Sequence, residues 1–218
     1  MHCIKVAARD SLLSQVQVQE VFEELKKFHS EVRFETTFLK TTGDLDLKTS
    51  LTLLEKTDFF TREIDQLVLK GICDVGIHSA KDLPDPLPEG LERYALTQGV
   101  DPSDSLVLRE GETLQSLPYG AKIGTSSLRR MQMIKIYRED AVAVDIRGNI
   151  QQRLQLLEEK KVDAVMMAEA ALIRLKMTHL NRIHLQGDTA PLQGRLAVIG
   201  RKHENQIKRY FKDIDRTL

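Results

Sequence analysis

Asp74 to Pro88 reads DVGIHSAKDLPDPLP. The stretch starts as a buried strand, because Val75 and Ile77 are apolar and Gly76 admits a close backbone neighbour. It then breaks into a polar loop that ends in Pro84, Pro86 and Pro88. Proline fixes φ and restricts the residue before it, so the loop is stiff. A stiff loop leaving a buried strand is a good mount for reactive groups. His78, Ser79, Lys81 and Asp82 stand on it within five positions. Lys81 offers a cation to an anionic group, and Asp82 offers a carboxylate to a cation. The same pattern suits a strand end that is merely solvated, so the neighbouring segments have to discriminate.

They repeat the theme. Ile4 to Ala8 reads as a strand, followed by Arg9-Asp10-Ser11, where Ser11 or Asp10 can cap a helix. Leu12, Leu13, Val16, Val21, Phe22, Leu25 and Phe28 then fall at helical spacing. Arg9 thus stands at a strand's C-terminal end, where open α/β sheets bind ligands, although covering a sheet edge is an equal use for it. Val32 to Phe38 alternates as a second strand and runs into the turn Thr41-Thr42-Gly43-Asp44. Leu45 to Thr57 has no clean period and reads as a loop. Phe59 to Leu69 is helical, with Gly71 as its stop. Lys122-Ile123-Gly124 leads into Thr125-Ser126-Ser127-Leu128-Arg129-Arg130, a strand, a hydroxyl-rich turn and a helix start. Free N–H groups there favour an anion, and arginines are otherwise disfavoured at that end of a helix. Ala141 to Ile146 reads as a strand that hands Arg147-Gly148-Asn149 to a helix carrying Arg153. Asp163 to Ala168 is a further strand, and Met166, Met167 and Met177 read as core filler. Ile183 to Leu185 reads as a short strand returning toward the first half. Leu196 to Gly200 and Asn205 to Phe211 close the chain as strand and helix. No internal repeat is visible.

Composition narrows the function. The 218 residues hold 32 Lys plus Arg and 32 Asp plus Glu, a formal charge of zero, which argues against a general nucleic-acid binder. Cys3 and Cys73 make no CxxC, so no disulfide framework and no metal site is expected, and a reducing cytoplasm fits. The start MHCIKVAARDS lacks the basic and apolar regions of a signal peptide, and no apolar run is long enough to span a membrane. The pattern therefore predicts an α/β protein of two βα lobes. The first is 1–96 completed by 189–218, and the second is 100–185. Two chain crossings between them give the layout of a hinged, binding-protein-like cleft. Arg9, Ser11, Asp44, Lys81, Asp82, Ser127, Arg129, Arg130, Arg147 and Arg153 would face it. Arginine forks suit carboxylates or phosphates, so the expected ligand carries several anionic groups.

HSAKDLP (78–84), GTSSLRR (124–130), DIRGNIQQRL (145–154) and TTGD (41–44) together resemble the porphobilinogen deaminase, or hydroxymethylbilane synthase, family. FFTREID (59–65) and DAVMMAEAALIRL (163–175) extend the resemblance, in order, over most of the chain. It implies a two-lobed, periplasmic-binding-protein-like fold. It also implies a cytoplasmic transferase of haem and tetrapyrrole biosynthesis, which joins four porphobilinogen units head to tail with release of ammonia. Asp82, with Lys81, then matches the catalytic position. Arg9, Ser11, Asp44, Thr125, Ser126, Ser127, Arg129, Arg130, Arg147, Gly148, Asn149 and Arg153 match positions that hold carboxylates of substrate and cofactor. The implied cofactor is dipyrromethane, and the implied partners are porphobilinogen and polypyrrole intermediates, with no nucleic acid, membrane or metal and with the chain as a monomer. His78 is read as ending the strand by hydrogen bonding.

Three departures qualify this. The family's third domain, with the cysteine that tethers the cofactor, is expected to be absent after Leu218, and neither Cys3 nor Cys73 matches its position. The family's lid reads here as EKTDFF (55–60), with Lys56 a loose replacement for the lid lysine. The hinge reads Leu192-Gln193-Gly194-Arg195. The alternative expectation is thus a degenerate protein that binds pyrroles or another polycarboxylate without turnover.

Overall fold

A computed structural model describes residues 2–50 and 57–217. In chain order its first elements are β1 (His2–Arg9), α1 (Leu12–Lys26), β2 (Val32–Leu39), α2 (Thr42–Leu45), α3 (Arg62–Leu69), β3 (Val75–Ser79) and β4 (Leu91–Leu96). Then come β5 (Asp104–Val107), β6 (Lys122–Gly124), α4 (Leu128–Tyr137), β7 (Val142–Val144), α5 (Ile150–Glu158), β8 (Ala164–Ala168), α6 (Glu169–Arg174) and β9 (Arg182–Leu185). β10 (Leu196–Arg201) and α7 (Asn205–Phe211) complete it. The chain forms two compact units. Unit 1 gathers the described residues of Met1–Leu45, Lys56–Asp101 and Ala190–Leu218. Unit 2 is built on Pro102–Thr189 and includes Asp46.

Each unit is a five-stranded sheet with helices on both faces. Unit 1 has the order β2-β1-β3-β10-β4, with β1, β2 and β3 parallel and β10 antiparallel to both its neighbours. Unit 2 has the order β7-β6-β8-β5-β9, with β6, β7 and β8 parallel and β5 antiparallel to both its neighbours. Such strands are covered on two faces and read as continuous apolar runs. β3 and β8 do so: Val75 and Ile77, like Val165, Met166 and Met167, are buried. One face of the first sheet packs Ile4, Val6, Val21, Leu25 and Phe211, and the other packs Ala7, Ile64, Val68 and Ile199. α1 begins where Ser11 takes the extended backbone of a cap and accepts from the N–H of Ser14 at 3.2 Å.

The two units repeat one design, which the sequence did not reveal. In unit 1 the N–H of Lys5 donates to Asp74 Oδ2 at 2.8 Å, and the N–H of Asp74 donates to the Lys5 carbonyl at 2.7 Å. In unit 2 Lys122 and Asp163 make the same two bonds at 2.8 and 2.7 Å. Arg201 Nη1 donates to the carbonyls of Val68 and Cys73 at 2.8 and 2.9 Å, and Arg109 Nη1 donates to those of Leu157 and Val162 at 3.2 and 3.1 Å. α3 is closed by Gly71 at φ +71°, and α5 by Lys160 at φ +57°. Glycine is the unstrained choice at such a turn. Residues 64–82 therefore superimpose in register on 153–171, with only Gln66/Gln155, Leu67/Leu156 and Asp74/Asp163 identical.

Some boundaries differ from the sequence reading. The helix expected from Phe59 starts at Arg62, because 59–61 form a turn. The turn at 42–45 closes into the short α2. Ile183 to Leu185 does not return to the first half: β9 pairs antiparallel with β5 and edges the second sheet. The strand that does return is β10, inserted between β3 and β4. Lys56 and the loop residues 51–55 before it lie outside the described residues.

Candidate active site

In unit 1 the functional side chains stand at the C-terminal ends of β1 and β3. Arg9 ends β1 and lays its fork on Asp44 of α2, through Nε at 3.2 Å and through Nη2. The N–H and hydroxyl of Thr41 also donate to Asp44, at 3.0 and 2.8 Å. Burial alone would raise the Asp44 pKa, but the Arg9 fork and Thr41 outweigh it and hold the carboxyl below its ordinary value. The ring of Phe60 covers the guanidinium, with Arg9 Cζ 4.5 Å from its centroid. Gly43 makes this possible, since a Cβ there would stand 2.4 Å from that ring. α3 fastens the same turn: Glu63 accepts from the N–H of Thr42 at 3.0 Å and from its hydroxyl.

β3 ends at Ser79, whose hydroxyl accepts from Gln17 of α1 at 2.9 Å. A 3₁₀ turn over Ala80–Asp82 follows. Lys81 Nζ donates to Oε1 of buried Gln193 at 3.3 Å. Asp82 is partly exposed and makes no hydrogen bond or ion pair with the described residues. The expectation that His78 ends the strand by hydrogen bonding is not met. The residue lies within β3, buried against Asp65 of α3.

In unit 2 two loops carry the predicted groups. Thr125 is fully buried, and its hydroxyl accepts from the N–H of Ser127 at 3.2 Å. Ser127 caps α4 by accepting from the N–H of Arg130, and Ser126 donates to the Ile146 carbonyl. Ser126 so joins the β6–α4 loop to the β7–α5 loop. Arg129 and Arg130 converge on Asp104, the first residue of β5 and fully buried. Arg130 uses Nε at 3.0 Å and Nη2 at 2.7 Å on one carboxylate oxygen, and Nη1 at 3.3 Å on the Met166 carbonyl. Arg129 reaches the other oxygen and the Asp188 carbonyl, and remains a quarter exposed. One buried carboxylate thus faces two guanidiniums.

The second loop holds Arg147, Gly148, Asn149 and Arg153. Arg147 Nη2 donates to the Asp46 carbonyl at 2.8 Å, and Arg153 Nε to the Gly148 carbonyl at 2.9 Å. Gly148 has φ +96°, and a Cβ there would stand 2.6 Å from Gln152 Oε1. Asn149 and Gln152 form a reciprocal capping box at the start of α5. Each unit therefore assembles its own predicted residues, and the hydroxyls of Ser11, Ser126 and Ser127 serve as internal fasteners. Asp104, Gln17 and Gln193 escaped the sequence reading. The available signal for Asp104 was a carboxylate opening an apolar strand, SLVL.

Comparison with known proteins follows the same lines. The sequence model of the family described as "Porphobilinogen deaminase, dipyromethane cofactor binding domain" matches residues 4–209. A "Probable porphobilinogen deaminase" of Chlamydia trachomatis serovar D is 41% identical over 200 residues, 92% of this chain and 82% of that protein. Its counterpart in Chlamydia pneumoniae is 37% identical over 97% of this chain and 89% of that protein. The "Porphobilinogen deaminase" of Clostridioides difficile is 36% identical over 94% of this chain and 69% of that protein. Among solved structures, the BenM effector binding domain with its effector benzoate matches at TM-score 0.59 and 12% identity, over 98% of this chain and 90% of that one. CbnR, a LysR family transcriptional regulator, matches at TM-score 0.59 and 11% identity, over 96% of this chain and 67% of that one. These structural likenesses concern the two-lobed α/β fold alone.

Proposed function

This chain belongs to the porphobilinogen deaminase family, and on that premise we propose that it is a hydroxymethylbilane synthase. In this reading it is a cytoplasmic transferase of tetrapyrrole biosynthesis. It joins four porphobilinogen units head to tail and releases ammonia at each step. The observation that carries the reading is Asp82. It is an acid without a partner among the described residues, beside Lys81, on a loop fixed by Gln17, Gln193 and the prolines that follow.

Each pyrrole of the substrate bears an acetate and a propionate, so a growing chain is a polyanion. The donor set of unit 2 fits such a ligand. Two guanidiniums share one carboxylate, and Arg147, Arg153 and the Gly148-Asn149 backbone stand on the adjoining loop. The same set fits dipyrromethane, and Arg129, Arg147 and Arg153 would hold its carboxylates. When bound, that cofactor supplies the free pyrrole carbon that is extended. Arg130 keeps Asp104 and the α4 start in place rather than meeting the ligand. In unit 1 Arg9 is held by Asp44 and Phe60 with one face for a further carboxylate.

Loss of ammonia from the aminomethyl group of porphobilinogen leaves a cationic methylene-pyrrole. The Asp82 carboxylate stabilises that cation through the pyrrole N–H groups and takes the proton released after coupling. Lys81, oriented by Gln193, offers a cation to the substrate's carboxylates beside that acid. Neither thiol is suited to tether a cofactor here. Cys3 lies on the outer part of β1 near Glu35, and burial raises the pKa of Cys73.

The test is porphobilinogen consumption and porphyrin formation after oxidation, for the purified chain and for Asp82→Asn. Turnover that falls at least about 100-fold in the variant is expected. Binding of porphobilinogen without turnover by the unaltered chain would replace the enzyme with a pyrrole-binding protein.

A further inference from the structure

Unit 1 buries one titratable pair that the chemistry above does not use. His78 Nε2 lies 3.2 Å from Asp65 Oδ1, and both side chains are only 3% exposed. The contact is out of line for a straight hydrogen bond, and neither Asp65 oxygen has a hydrogen-bond partner among the described residues. Gly76 belongs to the arrangement, because a Cβ there would stand 2.9 Å from His78 Nε2 and 2.9 Å from Ile64. Burying such a pair is costly, and apolar side chains of similar volume commonly serve the fold as well or better.

The molecule carries its own control. The register that equates Asp74 with Asp163 also equates Gly76, His78 and Asp65 with Val165, Met167 and Leu154. Met167 and Leu154 lie in one apolar cluster of unit 2. The same strand and helix positions, closed by the same turn, are thus satisfied without any polar group. The scaffold does not require the pair. The unit that keeps it is the one whose strand runs on to Lys81 and Asp82. At the matching places unit 2 has Ala170 and Ala171.

We infer that His78 and Asp65 are positioning residues for Asp82, an inference that rests on the deaminase reading of that acid. The imidazole, anchored to α3, fixes the point where β3 stops and the 3₁₀ turn starts. That turn is also held by the N–H of Ala80 on the Arg195 carbonyl at 3.0 Å and by the N–H of Leu83 on the Ala80 carbonyl at 3.4 Å, beside the Gln17–Ser79 and Lys81–Gln193 bonds. α3 also grips Thr42 through Glu63, so one helix sets both the Asp44 turn and the Asp82 turn.

The test gives unit 1 the solution of unit 2, as the double variant Asp65→Leu/His78→Met. It is expected to fold with an unchanged circular dichroism spectrum. Its kcat should fall roughly 10- to 100-fold with KM within about twofold. Amide exchange should quicken at Ala80 to Leu83 and not within β3. A folded double variant with the original kcat and exchange would overturn the inference. If the double variant does not fold, Asp65→Asn decides, since it keeps the shape and removes the charge: unchanged kcat and exchange in that variant would overturn it equally. If the unaltered chain does not turn over porphobilinogen, the deaminase reading fails separately, and exchange at Ala80 to Leu83 alone judges the positioning.

Discussion

Asp44 and Asp104 show how single carboxylates organise the arginines. Asp104 is invisible as a site residue in the sequence, because its role depends on antiparallel register. β5 sets it opposite Ala168, at the end of the sheet where α4 begins, and only there can it meet Arg129 and Arg130. Arg9, by contrast, was legible as a residue that ends a strand; Arg147 was read the same way, but β7 stops at Val144 and leaves it in the following loop. Asp44 was legible as a turn residue grouped with the site, and its contact with Arg9 is a tertiary fact. Its depressed pKa makes a prediction with a sign. A carboxylate whose folded pKa lies below its unfolded value of about 3.9 stabilises the fold fully above that value and loses the effect as pH falls through the folded one. Asp44→Asn should therefore be less stable than the parent at pH 7, and the gap should be narrower at pH 3. Urea unfolding at the two pH values measures it, and an equal gap at both would remove the Arg9–Asp44 pair from the account.

At the scale of elements, most strands and helices were legible from apolar spacing, and the errors have physical causes. β9 is four residues long, and so short a run says nothing about its partner, so its placement in the second sheet was unreadable. The duplicated strand–helix design was hidden because backbone geometry, not side-chain identity, is what repeats. It rests on the Lys–Asp backbone pair, the left-handed turn and an arginine on two carbonyls. The arginine comes from a segment distant in sequence: Arg201 ends β10 in one unit, and Arg109 follows β5 in the other. If the two are equivalent, Arg201→Met and Arg109→Met should each leave two carbonyls short of a donor and cost about 1–3 kcal/mol. Equilibrium urea unfolding of both variants checks this, and a cost confined to one of them would break the equivalence.

For the whole molecule, the duplicated scaffold carries unequal chemistry. Unit 1 holds Lys81, Asp82 and the buried His78–Asp65 pair, whereas unit 2 has alanines, Met167 and Leu154 at those places and concentrates its charge in Arg129, Arg130, Arg147 and Arg153. The proposed division follows: the first unit performs the proton and cation chemistry, and the second holds carboxylates. Steady-state kinetics of porphobilinogen turnover for the unaltered chain, Asp82→Asn and Arg147→Met test this division most directly. The account predicts that Asp82→Asn lowers kcat with KM nearly unchanged, and that Arg147→Met raises KM with kcat largely kept. Loss of kcat at an unchanged KM in Arg147→Met, or full kcat in Asp82→Asn, would contradict it.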